Sequence, residues 1–292
     1  MRMLAGRYAV GDELARGGMA VVHRAVDTVL RRTVAVKILM LERSHSYRYR
    51  DAVRQEALSG ARLSHPNVAR VFDYGEAEQD GRYLPFVVME LVAGETLTTR
   101  LGTAGPMSWR DAAAVCADVA SALAAAHEHD VVHRDVKPSN IMLSAAGAKL
   151  VDFGLSAPTG ASAIDFDGRI PGTPSYFAPE QFHALPVSPA ADVYALGLVL
   201  HACLAGRPAW TGGVDSVLVA RACSPTPRLP EWCEVPPEVS SIYRRCLARE
   251  PKKRPPAGRV AHLLRQACAP SSPARSGSRT RMVPRRLLPV SG

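Results

Sequence analysis

His133-Arg134-Asp135-Val136-Lys137-Pro138-Ser139-Asn140-Ile141-Met142-Leu143 is the stretch on which the reading of this chain turns. It sets an Asp, a Lys and an Asn on one short loop. A second Asp follows after a hairpin-sized gap, in Val151-Asp152-Phe153-Gly154. Phosphoryl transfer asks little covalent chemistry of a protein. It asks for metal ions on the phosphates, a cation near the moving group, and a carboxylate beside the incoming hydroxyl. The spacing of Asp135, Lys137, Asn140 and Asp152 supplies those parts together, which a lone His-Arg-Asp triplet would not.

Composition bounds what surrounds this loop. The 292 residues are 47% hydrophobic and 22% charged, enough for a two-lobed unit with substantial cores. The six cysteines (Cys116, Cys203, Cys223, Cys233, Cys246 and Cys268) form no C-x-x-C pair, so buried reduced thiols are expected rather than disulfides or zinc. The N-terminus lacks the apolar run of a signal peptide. The longest apolar stretch, 193–205, is too short for a membrane span of about 20 residues and reads as a buried helix. A cytoplasmic protein without a transmembrane segment is expected. The net charge is +9, yet residues 269–292 carry five arginines and no acid, leaving +4 for the rest. That balance gives no case for a nucleic-acid partner.

Outward from the loop, residues 7–26 alternate around Leu14-Ala15-Arg16-Gly17-Gly18-Met19-Ala20-Val21-Val22 and predict a β-hairpin. Val34-Ala35-Val36-Lys37-Ile38-Leu39 is an apolar strand with one Lys. A charged amphipathic helix is expected over 47–64. Strands are expected over 68–74 and 84–89, with a turn over 75–82. Ser108, with Asp111 three residues on, starts an alanine-rich helix running to His129. Further helices are expected over 215–268. Residues 269–292 are Ser/Pro/Arg-rich without apolar period and read as a basic disordered tail, either solvated or an electrostatic tether.

On the catalytic-loop and Asp-Phe-Gly motifs, the Lys37 strand, Gly172-Thr173 and Ala178-Pro179-Glu180, the chain from about Arg7 to Cys268 resembles the eukaryotic-like Ser/Thr protein kinases of bacteria. The resemblance implies an α+β, two-lobed kinase fold. A leader (1–6) precedes an antiparallel five-stranded N-lobe with one main helix (7–90), and a mostly helical C-lobe (91–268) follows. It implies transfer of the ATP γ-phosphoryl group to Ser/Thr of proteins, including the chain itself. By match, Asp135 orients the acceptor hydroxyl and Lys137 steadies the γ-phosphate. Asn140 and Asp152 hold Mg²⁺, with Mn²⁺ as the other metal, and Thr173 bonds Asp135. Lys37, paired with Glu56, contacts the α/β-phosphates. Leu14, Ala15, Gly17, Gly18, Met19 and Ala20 cover the phosphates. Val22, Ala35, Met89 and Met142 pack around adenine, and the backbone of Glu90 and Val92 bonds it. Asp192 holds the catalytic-loop backbone, and Arg254 pairs with Glu180. A homodimer through the N-lobe is an arrangement several relatives show.

Departures at Ala15, Ala20 and Gly60 keep a second reading open. Ala15 and Ala20 stand where the family's phosphate loop has glycine, and glycine alone reaches φ > 0 without strain. Gly60, on the Glu56 face of its helix, predicts a small void and a helix that shifts easily. Asp165 and Asp167 stand where relatives commonly carry phosphorylatable Thr. They are either solvated acids or partial substitutes for phosphate near Arg134. The alternatives are a nucleotide-binding pseudokinase or scaffold, and a small-molecule kinase of related fold. The second would usually lack the Gly-Thr and Ala-Pro-Glu segment.

Overall fold

In a computed structural model, residues 2–17, 20–39, 47–79, 82–165, 168–223 and 227–269 are described. Six antiparallel strands form the N-lobe sheet: β1 (Arg2–Leu4), β2 (Tyr8–Arg16), β3 (Ala20–Asp27), β4 (Arg32–Leu39), β5 (Val71–Gln79) and β6 (Arg82–Glu90). Their spatial order is β1-β2-β3-β4-β6-β5. The five expected strands are joined by a sixth. Arg2, Met3 and Leu4 pair with Val10, Ala9 and Tyr8, so the leader expected over 1–6 contributes a strand to the domain's sheet. The reason is burial: Leu4 and Tyr8 are both 1% exposed in a shared apolar cluster.

Alternation on β4 gives the sheet two buried faces. Val34, Val36 and Ile38 point into the cluster with Leu84, Phe86 and Val88. Leu39 points to the other face, where helix α1 (Tyr47–Ala61) lays Val53 and Ala57 against it and Val87. Lys37 shares that side of the strand. The turn expected over 75–82 is a correction: β5 and β6 run on, pairing Gly75 with Phe86 and Gln79 with Arg82. Gly75 is there for contact, since a Cβ would meet the Phe86 ring at 2.5 Å.

Gly60 corrects another expectation. It leaves no void; a Cβ would lie 2.5 Å from Val71 Cγ2, so the missing side chain is where β5 packs.

In the C-lobe, β7 (Glu95–Thr96), β8 (Ile141–Ser144) and β9 (Gly147–Leu150) form a small sheet. Helices α2 (Leu97–Ala104), α3 (Trp109–Glu128), α4 (Pro189–Ala205), α5 (Val214–Cys223), α6 (Pro237–Cys246) and α7 (Ala257–Cys268) surround one large core. Ser108 caps α3 as expected, its hydroxyl accepting from Asp111 N at 3.1 Å. Helix α3 buries six alanines, small enough to let neighbouring helices approach. Helix α4 contains the apolar 193–205 stretch and buries residues all round its circumference. Cys116, Cys203 and Cys246 are buried free thiols. No helix among the described residues is long and apolar enough to cross a membrane.

Candidate active site

The loop 133–140 is built between α3 and β8 and is anchored from α4. Asp192, 1% exposed, accepts from His133 N and Arg134 N at 2.9 Å each and pairs with His127 Nε2 at 2.8 Å. Burial pushes its carboxyl up, but His127, His133 and the His133 amide outweigh that and hold it below the usual range. Arg134 is thereby kept at φ 67, a left-handed conformation rare outside glycine. His133 accepts from Asp135 N on Nδ1 (3.3 Å). Its Nε2 then carries the proton, 3.2 Å from Val151 O. The ring also meets Phe153 edge-on at 4.7 Å, so the loop and the Asp-Phe-Gly segment share a buried seam.

Three side chains converge on the Asp135 carboxylate. Thr173 Oγ1 donates to Oδ1 at 2.9 Å, Lys137 Nζ lies 2.7 Å from Oδ2, and Asn140 Nδ2 lies 3.1 Å from Oδ2. Lys137 also donates to Thr173 Oγ1 at 2.8 Å. Gly172 makes this approach feasible. Its φ is 119, and a Cβ would lie 2.9 Å from Arg134 O. Asn140 Nδ2 further donates to Asp135 O at 2.9 Å, which fixes the amide and leaves Oδ1 as its remaining acceptor.

Asp152 stands at φ 63 with its side chain 43% exposed. Lys37 Nζ donates to its Oδ1 at 2.6 Å, joining β4 to the C-lobe loop. Burial would raise the Asp152 carboxyl; Lys37, His133 and Gly154 N–H outweigh it and bring the pKa to about 2. Lys37 was expected to pair with Glu56. That side chain lies outside the described residues, as do Gly18, Met19, Asp167 and residues 270–292.

Of the expected adenine-side residues, Val22, Ala35 and Met89 fall on the adjoining strands β3, β4 and β6, and Met142 on β8 of the small C-lobe sheet. Val22 pairs with Lys37, Ala35 with Met89, and Met142 with Lys149. Val92 is buried, and Leu14 is exposed at the end of the β2–β3 hairpin. Ala15 lies in β2 opposite Val22, and Ala20 opens β3 opposite Leu39. Neither has positive φ, so alanine costs no backbone strain at either place. Glu180 and Arg254, both buried, form a bidentate pair at 2.5 and 2.7 Å that ties the end of this segment to the C-lobe.

Sequence reasoning missed the Glu90 side chain. Lys149 Nζ reaches both its oxygens, at 2.7 and 3.0 Å. The available signal was the alternation in β9: Ala148 and Leu150 are buried, and Lys149 between them points the other way.

A two-lobed fold with an Asp-Lys-Asn-Thr cluster facing a Lys–Asp pair across the lobes defines a protein of the phosphoryl-transfer class. Comparison agrees: residues 8–265 match the protein kinase domain, and the chain belongs to that family. It is 38% identical over 257 residues to the serine/threonine-protein kinase PknB of Mycolicibacterium smegmatis, covering 86% of this chain and 41% of the relative. It is 39% identical over 254 residues to the serine/threonine-protein kinase PknA of Mycobacterium tuberculosis, covering 86% and 58%. A probable serine/threonine-protein kinase of Corynebacterium efficiens is 38% identical over 213 residues, covering 72% and 32%. The chain therefore spans between a third and three fifths of the length of these relatives.

Proposed function

We propose that this chain is an ATP-dependent Ser/Thr protein kinase that phosphorylates protein substrates and itself. The observation that carries the reading is the Asp135 carboxylate, held at once by Thr173, Lys137 and Asn140. Asp135 is oriented to accept a hydrogen bond from an incoming Ser or Thr hydroxyl and to take up its proton as the new P–O bond forms. Lys137, shared between Asp135 and Thr173, places a cation where negative charge moves with the phosphoryl group. Lys37 serves the α/β-phosphates.

The donor set fits a hard divalent cation. Asn140 has one oxygen left after its amide nitrogen is engaged, and Asp152 is ionised across the working pH range. Asn140 and Asp152 would hold Mg²⁺, which when bound neutralises charge on the phosphate oxygens. Two oxygen donors with open positions suit Mg²⁺, with Mn²⁺ the other candidate. Val22, Ala35, Met89 and Met142 enclose adenine, the backbone of Glu90 and Val92 reads it, and Leu14, Ala15, Gly17, Gly18, Met19 and Ala20 cover the phosphates. A cytoplasmic site of action follows from the need for ATP and agrees with the free thiols.

Asp165 supplies an anion for Arg134. Burial pulls the Arg134 guanidinium below its ordinary value while Asp165 and Asp192 push it back, and Asp165 Oδ1 closes its own turn by accepting from Arg169 N at 2.9 Å. This anion stands in part for an activating phosphate, giving basal activity before phosphorylation. The pseudokinase alternative loses its main support, because Ala15, Ala20 and Gly60 all fit without strain. Incorporation of labelled phosphate from ATP into Ser or Thr, abolished by Asp135→Asn, tests the reading. Nucleotide binding without incorporation would favour the pseudokinase instead.

A further inference from the structure

Residues 67–70 run between β9 and the end of β6 and are bonded to both. Leu150 N donates to Asn67 O at 2.8 Å, and Ala69 N donates to Leu150 O at 3.0 Å. One residue further, Glu90 N donates to Arg70 O at 2.8 Å. Ala148 is clamped beside them: its carbonyl accepts from Asn67 Nδ2 at 2.8 Å, and its N–H donates to Asp118 Oδ2 at 3.0 Å. Backbone therefore joins the strand leading to Asp152 with the last residue before the crossing between lobes.

One side-chain ion pair spans this seam. Lys149 Nζ bonds both Glu90 carboxylate oxygens, and Glu90 Oε2 also lies 3.3 Å from Arg70 N. The two side chains are only 18% and 26% exposed, so water screens them incompletely. Two donors make three hydrogen bonds to one carboxylate, which fixes the Glu90 side chain and, through it, the backbone that carries the carbonyl on the opposite side of the residue.

We propose that Lys149 is a positioning residue for nucleotide binding, acting through Glu90 rather than by touching the nucleotide. This rests on the functional reading above, in which the Glu90 carbonyl and Val92 N–H contact adenine. Without Lys149 the Glu90 carboxylate keeps, among the described residues, the long contact to Arg70 N, and the hinge peptide samples more orientations. The cost falls on nucleotide affinity. Among the described residues, the Asp135 cluster shares no hydrogen bond with Lys149 or Glu90 and is left as it is.

The experiment measures ATP affinity by calorimetry and, separately, the dependence of phosphoryl transfer on ATP concentration, for the whole chain and its variants. Lys149→Met keeps most of the side-chain bulk and removes the charge. A half-buried ion pair of this kind is expected to raise both Kd and KM roughly three- to tenfold, with kcat within about twofold. Lys149→Arg, which can bond a carboxylate with two N–H groups, restores both to within about twofold. Glu90→Gln matches Lys149→Met, and the double variant is no worse than either single one. Unchanged Kd and KM in Lys149→Met, or a fall in kcat at constant KM, overturns the proposal. A wild type that binds no ATP overturns the functional reading and this inference together. A wild type that binds ATP beside an unaltered variant overturns the inference alone.

Discussion

Asp192→Asn is the substitution whose consequences the structure specifies most closely. The carboxylate serves three donors: His133 N and His127 Nε2 on Oδ2, and Arg134 N on Oδ1. An amide has one oxygen. Placed at Oδ2 it keeps two of the three bonds and sets an NH₂ against Arg134 N, donor facing donor, at 2.9 Å. Leaving that buried N–H unpaired costs about 1–3 kcal/mol, and loss of charge weakens the two remaining bonds. A total near 3 kcal/mol is expected, a large part of the stability of a typical domain. Function should suffer separately. Arg134 no longer has a reason to stay at φ 67, and Asp135 follows it. Denaturant unfolding reads the first effect. The second is a fall in kcat of about tenfold or more, with ATP affinity unchanged because the adenine side is untouched. Asp192 has a depressed folded pKa, so it stabilises the wild type above the unfolded carboxylate range, and that contribution is lost as pH falls through the folded value. The variant lacks this loss. Wild-type stability together with wild-type kcat in Asp192→Asn would refute the reasoning.

Arg254→Met strands the buried Glu180 carboxylate and should cost about 3–5 kcal/mol in denaturant unfolding, while adding Glu180→Met should recover a substantial part. Gly60→Ala gains about 1 kcal/mol of helix propensity but drives a methyl to 2.5 Å from Val71 Cγ2, so net destabilisation is expected, relieved by Val71→Ala. His201 is buried against Tyr243, and burial and Arg207 lower its pKa to about 4. Between pH 6.5 and 4 the unfolded chain binds a proton that the folded chain refuses, so stability falls with pH by up to about 3 kcal/mol, and His201→Asn should flatten that part of the unfolding profile. Asp165→Ala should lower the activity of unphosphorylated protein several-fold; full activity would return Asp165 to the role of a solvated acid.

Much of the site is legible in the sequence because phosphoryl transfer fixes residue types at fixed spacing. Asp135, Lys137 and Asn140 lie within one loop, so their meeting on one carboxylate needs only local geometry. Ser108 and Asp111 are similarly local. What escaped depends on contacts far apart in the chain. Gly75 and Gly60 look like a turn residue and a packing defect until Phe86 and Val71 are placed against them. Strand β1 has three residues, too few for any period, and exists because Leu4 has a core to enter. Lys149 and Glu90 are 59 residues apart, and nothing in either neighbourhood names the other. Lys37 was assigned Glu56; the structure adds Asp152, a partner 115 residues away.

The most direct test is phosphoryl transfer from labelled ATP with Mg²⁺ to the chain and to a generic basic protein, wild type beside Asp152→Ala, followed by identification of the labelled residues. The account predicts label on Ser and Thr that disappears in the variant. Absence of label from a wild type that binds ATP, or equal labelling by both proteins, would contradict it.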